Sequence, residues 1–153
     1  MFWAEFAARA PHLAERAVPL YLLDTPGGGL GYLATVRADG GPRVHPVSPV
    51  LLDDHLYLFV LTRTPKQADL RRDGRYALHS WPHPFEEDRF DDEEFYTSGT
   101  AEPRDADELR RRVAAQTGDA PETGAVFELS IERALHKQRR GGLRYEVWGA
   151  DRG

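Results

Sequence analysis

The chain has 153 residues, 25 acidic and 20 basic side chains, a formal net charge of −5 and no cysteine. This length suits one domain, residues 1–153, that buries its own core, and the lack of cysteine excludes disulfides and cysteine-ligated metal centres. The acidic balance opposes general nucleic-acid binding, so we expect no nucleic-acid partner.

The sequence also gives no sign of a membrane segment. Its longest apolar stretch, residues 46–61, is interrupted by Asp53, Asp54 and His55, which leaves no segment long enough to span a bilayer. Acidic and basic side chains lie among the first residues, where a signal peptide needs a basic start and an apolar core. We therefore expect a cytoplasmic protein with no membrane partner.

The N-terminal segment has helical composition. Phe2, Phe6 and Leu13 are candidate core contacts, and Pro11 lies between them. Because proline breaks or kinks a helix, we expect two short helical pieces that form a lead of about residues 1–18.

Three stretches of extended composition follow, at residues 31–38, 42–52 and 55–62. The first turn carries the sequence ADGG and the second is Asp53-Asp54. Such short turns join antiparallel neighbours and leave no room for the helices of parallel crossovers.

A short helix is predicted directly after the third strand. Thr64 is its expected N-cap, Pro65 suits the first helical position, and Gln67 completes a Thr-x-x-Gln capping box. The helix is expected to run to about Arg72 and to stop at Asp73-Gly74, because glycine can adopt the left-handed conformation that ends helices.

The start of this helix has the properties of an anion site. Its first amides lack partners, the helix dipole is positive there, and Lys66 adds a full charge within the same turn. Capped helices with a nearby lysine also occur where nothing binds, so this short motif alone does not establish a site.

The rest of the chain is predicted to be mainly β. A solvated loop is expected at the acidic residues 82–94, and a second helix runs from the N-cap Asp105, with Glu108 three residues on, to the terminator Gly118. Further strands are expected at residues 75–81, 95–103, 124–137 and 143–149. Together the elements predict a mainly β (α+β) fold, a small antiparallel barrel with a few short helices.

Several other chemistries lack support. Tyr32 stands where a dinucleotide fingerprint needs its last glycine, and the element that follows is a strand. His79 and His83 lie near acidic residues, but Pro82 and Pro84 prevent a helix that would put both rings on one face. We expect no metal site, and we nominate no catalytic acid, base or nucleophile.

An ordered set of motifs spans residues 33–78: a strand, the D-G hairpin, two further strands, a Thr-Arg-Thr-Pro-Lys turn and the helix QADLRRDGRYAL. This order resembles the FMN-binding split-barrel family related to pyridoxamine 5'-phosphate oxidase. The resemblance implies a six- to eight-stranded antiparallel split barrel, bound FMN and oxidoreductase activity on a small-molecule substrate. It also implies a homodimer with the cofactor at the subunit interface.

The resemblance assigns the phosphate end of the cofactor site to the turn before the helix. Lys66 falls on the family's phosphate-contacting lysine, Thr64 on its hydroxyl-bearing neighbour, and Thr62 and Arg63 on the strand end near the ribityl phosphate. Pro65 stands where the family usually has an arginine, so one phosphate contact must come from elsewhere or be absent.

The resemblance assigns the ring end to the strand before the second turn. Arg43 falls near the family's arginine on this strand, and His45, Pro46 and Val47 fall on the segment that lies along the flavin ring through backbone contacts. Val44 and Val47, with Val50, would offer a flat surface to the ring, but they would serve equally as barrel core.

The ligand and substrate stay open at this point. A deazaflavin coenzyme is used by relatives of the same fold, and a flavin-binding dimer without catalysis is a further alternative. The tail LRYEVWGADRG has no clear counterpart of the substrate-binding arginine and histidine of pyridoxamine phosphate oxidase, so that activity is not expected.

Overall fold

The computed structural model describes residues 1–21, 30–80, 93–118, 124–139 and 141–150. The helices in this part of the chain are α1 (Trp3–Arg9), α2 (Pro11–Tyr21), α3 (Pro65–Arg72) and α4 (Ala106–Thr117). The strands are β1 (Gly31–Val36), β2 (Pro42–Val47), β3 (Pro49–Leu52), β4 (His55–Val60), β5 (Arg75–Ser80), β6 (Glu93–Arg104), β7 (Ala125–Leu129), β8 (Arg133–Gln138) and β9 (Arg144–Gly149).

The strands form two antiparallel sheets that share β6 and curl into a half-barrel. The first sheet has the order β2-β1-β5-β6-β8-β9, and the second has the order β6-β7-β4-β3. Residues 93–98 of β6 pair with β8, whereas residues 101–104 pair with β7. Gly99 lies between these two halves, and a Cβ there would stand 2.0 Å from the Ser130 carbonyl oxygen. A glycine is therefore required where the strand changes partners.

The predicted fold class is confirmed, with nine described strands because two predicted strands are each divided. The predicted strand 42–52 breaks at Ser48, so that β2 pairs with β1 while β3 pairs with β4. Pro49 contributes to the break because it has no amide hydrogen for a ladder. The predicted strand 124–137 breaks at residues 130–132, where the chain passes from the second sheet to the first.

The N-terminal lead forms two helices, as predicted, and α2 continues beyond residue 18 to Tyr21. The Tyr21 hydroxyl donates to the Leu78 carbonyl oxygen (2.8 Å) and bonds Thr97 Oγ1 (3.0 Å), and its ring packs edge-on against Phe95. Phe6 is fully buried in the same core. The two helices therefore cover the inner side of the first sheet.

The ends of the other two helices differ in how well they were predicted. Helix α4 has the expected cap at Asp105, whose carboxylate accepts from the Asp107 amide, and Gly118 is left-handed at its end. Helix α3 has the predicted bounds, but the expectation for Gly74 is wrong, because the helix ends on Asp73 in an extended conformation. Gly74 instead allows the backbone of Ala101 to approach closely, since a Cβ at Gly74 would lie 2.8 Å from the Ala101 carbonyl oxygen.

Some predictions fall on residues outside the described ranges. The acidic loop belongs to this group for residues 82–92, and Glu93 and Glu94 begin β6. His83 also lies outside the described residues. None of the described helices combines the length and the apolar character that a transmembrane span requires.

Candidate functional site

The turn between β4 and α3 has an unusual backbone at Arg63, whose φ of 61° lies in the left-handed region. A residue with a side chain occupies this region at a cost of about 1–3 kcal/mol, and such positions concentrate at functional sites. The Arg63 amide donates to Gln67 Oε1 (3.0 Å), and the Thr64 hydroxyl donates to the Leu61 carbonyl oxygen (2.8 Å). The predicted capping box is therefore wrong. The Thr64 side chain accepts no bond from a helix amide, and Gln67 bonds the Arg63 amide instead of the Thr64 amide. Both side chains stabilise the turn instead.

The first turn of α3 has one amide available for a ligand. The amides of Gln67 and Ala68 both donate to the Thr64 carbonyl oxygen (3.1 and 3.3 Å), and Pro65 has no amide hydrogen. The Lys66 amide has no acceptor among the described residues. It points from the positive end of a helix dipole, which favours an anion.

A buried carboxylate lies one turn further along the helix. Asp69 is 3% exposed and accepts three side-chain hydrogen bonds: from Thr35 Oγ1 (3.0 Å), Arg43 Nε (2.8 Å) and Arg72 Nη2 (3.1 Å). Burial alone would raise its pKa, but the hydrogen bonds from Arg43, Arg72 and Thr35 outweigh burial and lower it. Asp69 thus joins β1, β2 and α3 at one point.

His45 faces the same corner from β2. Its Nε2 atom is buried and has no hydrogen-bond partner among the described residues. Burial and the positive charges of Lys66 and Arg43 lower its pKa, while the nearby Asp69 opposes them. The lowered pKa favours the neutral ring, and an unpartnered ring nitrogen is uncommon for a buried polar atom.

Lys66 completes the cluster as a cation that has no counter-ion in the described part of the chain. Burial lowers the pKa of its ammonium group, and no acidic side chain of the described residues forms an ion pair with it. A half-buried ammonium group that lacks a partner is costly, and a bound anion would remove that cost.

The structure therefore brings some of the predicted residues together and separates others. Lys66, Arg43 and His45 meet at the corner between β2 and α3, while Thr62 and Arg63 are exposed in the adjoining turn. Val44 and Pro46 are exposed, and they alternate along the strand with Arg43 and His45. Their side chains consequently point to the opposite face of the sheet.

The valines do not form the flat surface that the sequence suggested. Val47 is buried in the main core, and Val50 belongs to a second cluster under α4. Val44 is 61% exposed on the outer face of the first sheet. Core packing therefore accounts for Val47 and Val50, and only Val44 stays available to a ligand or partner.

Asp69 is the residue of this corner that sequence reasoning missed. Lys66 precedes Asp69 by three residues, so the two side chains lie on the same face of α3. An acidic residue just before the buried Leu70, in a helix packed on a strand, was the available signal. Its contacts with Thr35 and Arg43 cannot be recognised from the helix alone.

In chemical terms the corner fits a phosphate group. It offers an ammonium group, a guanidinium group, an amide and an imidazole nitrogen, and the charges of Lys66 and Arg43 both act on the His45 ring. A phosphate dianion needs several donors of fixed geometry, and such a donor set supplies them.

The family of the protein follows from comparison with known sequences. A family model described as pyridoxamine 5'-phosphate oxidase matches residues 26–138. This match covers most of the chain and includes the whole corner just described. The protein belongs to this family. No curated protein sequence matches the chain.

Solved structures with the same fold come from several bacteria. The chain is similar to a heme-binding protein from Mycobacterium smegmatis (TM-score 0.62, 22% identity), with 81% of this chain and 54% of that chain covered. It thus spans about half the length of that protein. It is also similar to a conserved hypothetical protein from Mycobacterium tuberculosis (TM-score 0.63, 18% identity, 93% of each chain covered).

A third similar structure carries the family's name. It is a protein from Clostridium acetobutylicum related to general stress protein 26, of the pyridoxinephosphate oxidase family (TM-score 0.59, 13% identity, 96% of each chain covered). At these identities the likeness concerns the fold alone.

Proposed function

We propose that this protein binds FMN through its phosphate at the corner between β2 and α3, and that it is a flavin-dependent oxidoreductase acting on a small molecule. The observation that carries the proposal is Lys66, a half-buried cation whose ammonium group has no counter-ion, and whose amide has no acceptor, among the described residues. Membership of the pyridoxamine 5'-phosphate oxidase family supports a flavin as the ligand.

Each residue of the corner would make a different contact with the phosphate. Lys66 would neutralise the phosphate, its own amide would donate a hydrogen bond, and Arg43 would supply the contact that Pro65 cannot. The neutral His45 could donate through Nε2 when its other ring nitrogen carries no proton. Together these groups would hold the ligand by its phosphate.

When bound, FMN supplies the chemistry of hydride or electron-pair transfer. The protein would contribute orientation of the ring, a suitable charge environment and protection from water. No side chain of the corner needs to act as an acid or a base.

We also propose that the protein is a homodimer in which the outer face of the first sheet is the interface. Val44 is 61% exposed at one end of this sheet, and Tyr145 and Val147 are 57% and 63% exposed at the other. Trp148, the residue after Val147, packs inward against Phe6, so Val147 points outward. A partner packed on this face would cover the apolar side chains exposed at both of its ends.

Sedimentation equilibrium tests the dimer. We expect the mass of two chains at micromolar concentration for the wild-type protein. A single-chain mass across the accessible concentration range would refute this part of the proposal.

Titration of FMN into Lys66→Ala tests the binding site. We expect binding to weaken by about 1.5–3 kcal/mol, the range for a hydrogen bond to a charged group. Arg71→Ala is the matched control, since Arg71 is an exposed cation on the same helix that forms no ion pair with another described residue. An unchanged dissociation constant in Lys66→Ala, or an equal loss in both variants, would remove Lys66 from the site.

The identity of the ligand is tested on the protein as purified from cells. Mass spectrometry of the released small molecule, with the absorbance spectrum, separates FMN from a deazaflavin coenzyme. It also separates both from heme, which the similarity to a heme-binding protein makes a relevant control. FMN binding without hydride transfer from a reduced nicotinamide would favour a flavin-binding dimer without catalysis.

A further inference from the structure

The proposed phosphate site contains a carboxylate, which would by itself repel the ligand. Asp69 is buried and lies beside Lys66 on α3, yet its two oxygens are occupied by Thr35, Arg43 and Arg72. Both oxygens accept from protein donors, so the carboxylate is turned toward the protein. Its contribution to a ligand must therefore pass through the groups that it holds.

Arg43 is the group that most needs to be held. It lies on β2, which pairs with β1 alone among the described strands and so lies at one end of the first sheet, and its side chain is 32% exposed. A long side chain in such a place loses much rotamer freedom when it binds a ligand. The bond from Arg43 Nε to Asp69 Oδ2 (2.8 Å) removes that freedom in advance.

The same bond leaves the useful part of the guanidinium group free. Only Nε is bonded to Asp69, and neither terminal nitrogen of Arg43 has a hydrogen-bond acceptor among the described residues. These two nitrogens form the pair of parallel donors that suits a phosphate.

Asp69 is itself fixed by independent contacts. Thr35 donates to it from β1, and Arg72 bonds both Asp69 and the Val36 carbonyl oxygen. We therefore expect these contacts to hold the carboxylate in place in an Arg43 variant as well.

We propose that Asp69 is a positioning residue that holds Arg43 toward the ligand phosphate, and that this pair makes the site discriminate FMN from riboflavin, the same flavin without a phosphate. The proposal rests on the proposed function, because it specifies how that site recognises its ligand.

The experiment compares the dissociation constants of FMN and riboflavin in wild type, Asp69→Asn, Arg43→Lys and the double variant. Asp69→Asn keeps the shape of the side chain and removes its charge. We expect it to weaken FMN binding at least about tenfold, as expected for one misplaced charged hydrogen bond, and to change riboflavin binding less than about twofold. In the Arg43→Lys background, which already lacks Nε, Asp69→Asn should have little further effect on FMN binding.

Asp73→Asn is the matched control. Asp73 also pairs with an arginine, Arg75, but at the far end of α3. We expect this substitution to leave the ratio of the two dissociation constants unchanged.

A second measurement needs no ligand. In the nuclear magnetic resonance spectrum of the free protein, the Arg43 Nε–H should exchange slowly with water, and Asp69→Asn should make the exchange fast. Exchange in the wild type as fast as that of the exposed Arg71 would overturn the proposal even if FMN binds.

The outcomes separate the two proposals. An equal loss of FMN and riboflavin binding in Asp69→Asn would show a merely structural role and overturn the inference, as would additive effects in the double variant. A wild-type protein that binds FMN, with an unchanged ratio in Asp69→Asn, would overturn the inference alone. A wild-type protein that binds neither flavin would overturn the proposed function and the inference with it.

Discussion

The described residues include two buried carboxylates in similar settings, one packed on each sheet region. Asp69 and Glu128 are each 3% exposed. Each accepts from the Nε atom of an arginine, Arg43 at 2.8 Å and Arg104 at 2.6 Å, and the two arginine side chains are 32% and 31% exposed. By burial and pairing alone, the two clusters could not be told apart.

The clusters differ in the balance of charge around them. Arg104 binds a second carboxylate, Glu102 (3.0 Å), and Glu128 bonds His55 Nδ1 (2.5 Å). That cluster has no surplus positive charge to offer a ligand.

Around Asp69, by contrast, two cations, Arg43 and Arg72, bond the carboxylate directly. Lys66 lies three residues before Asp69 on the same helix and has no counter-ion among the described residues. The comparison shows that a buried carboxylate does not by itself indicate a site. The unbalanced positive charge beside it does, because only that charge is stabilised by an anion.

The largest effect that we predict is on the balanced cluster. Glu128→Ala should lower the free energy of unfolding by about 3 kcal/mol, the low end for breaking a buried ion pair, because Arg104 and His55 are partly exposed. FMN binding by the folded variant should not change. Urea denaturation and FMN titration measure the two effects.

The control is Glu102→Ala. Glu102 is 45% exposed and pairs with the same arginine, so its loss should cost less than about 1 kcal/mol. Weaker FMN binding in Glu128→Ala would erase the distinction between the clusters, since the balanced one would then also support the ligand.

Much of the fold could be predicted from local signals. The two-residue turn at Asp53 and Asp54, both with positive φ, joins β3 to β4 as expected, and the cap at Asp105 starts α4. The breaks at Ser48 and at residues 130–132 were missed, because extended composition resumes directly after each of them, although Pro49 was an available signal for the first. The chain changes sheets there, and a change of strand partner is a property of the tertiary structure.

The same division holds for the candidate site. Lys66 could be nominated because its signal, a cation in the first turn of a capped helix, lies within four residues of sequence. Asp69 was not nominated, since its position just before Leu70 does not reveal its partners Thr35 and Arg43, which are 34 and 26 residues away. Pairings over such distances depend on the register of β1 and β2.

The smallest effect that we predict is an acid-dependent one at Asp69. Burial would raise the pKa of this carboxyl, but the hydrogen bonds from Arg43, Arg72 and Thr35 lower it in the folded protein. In the unfolded chain it titrates near the ordinary value of about 3.9. Between the two values the unfolded state binds more protons than the folded state, so stability rises with pH.

The stabilisation from Asp69 should thus be complete at neutral pH and should disappear as the pH falls below about 4 through the folded-state pKa. Urea denaturation of wild type and Asp69→Asn at a series of pH values measures it. The stability difference between the two proteins should be largest at neutral pH and should shrink in acid. Because the other carboxyl groups titrate in both proteins, the difference isolates Asp69. A difference that stays constant down to pH values well below 4 would mean that the ionised carboxylate stabilises the fold no more than the amide does, and the Asp69 cluster would then be held by shape rather than by charge.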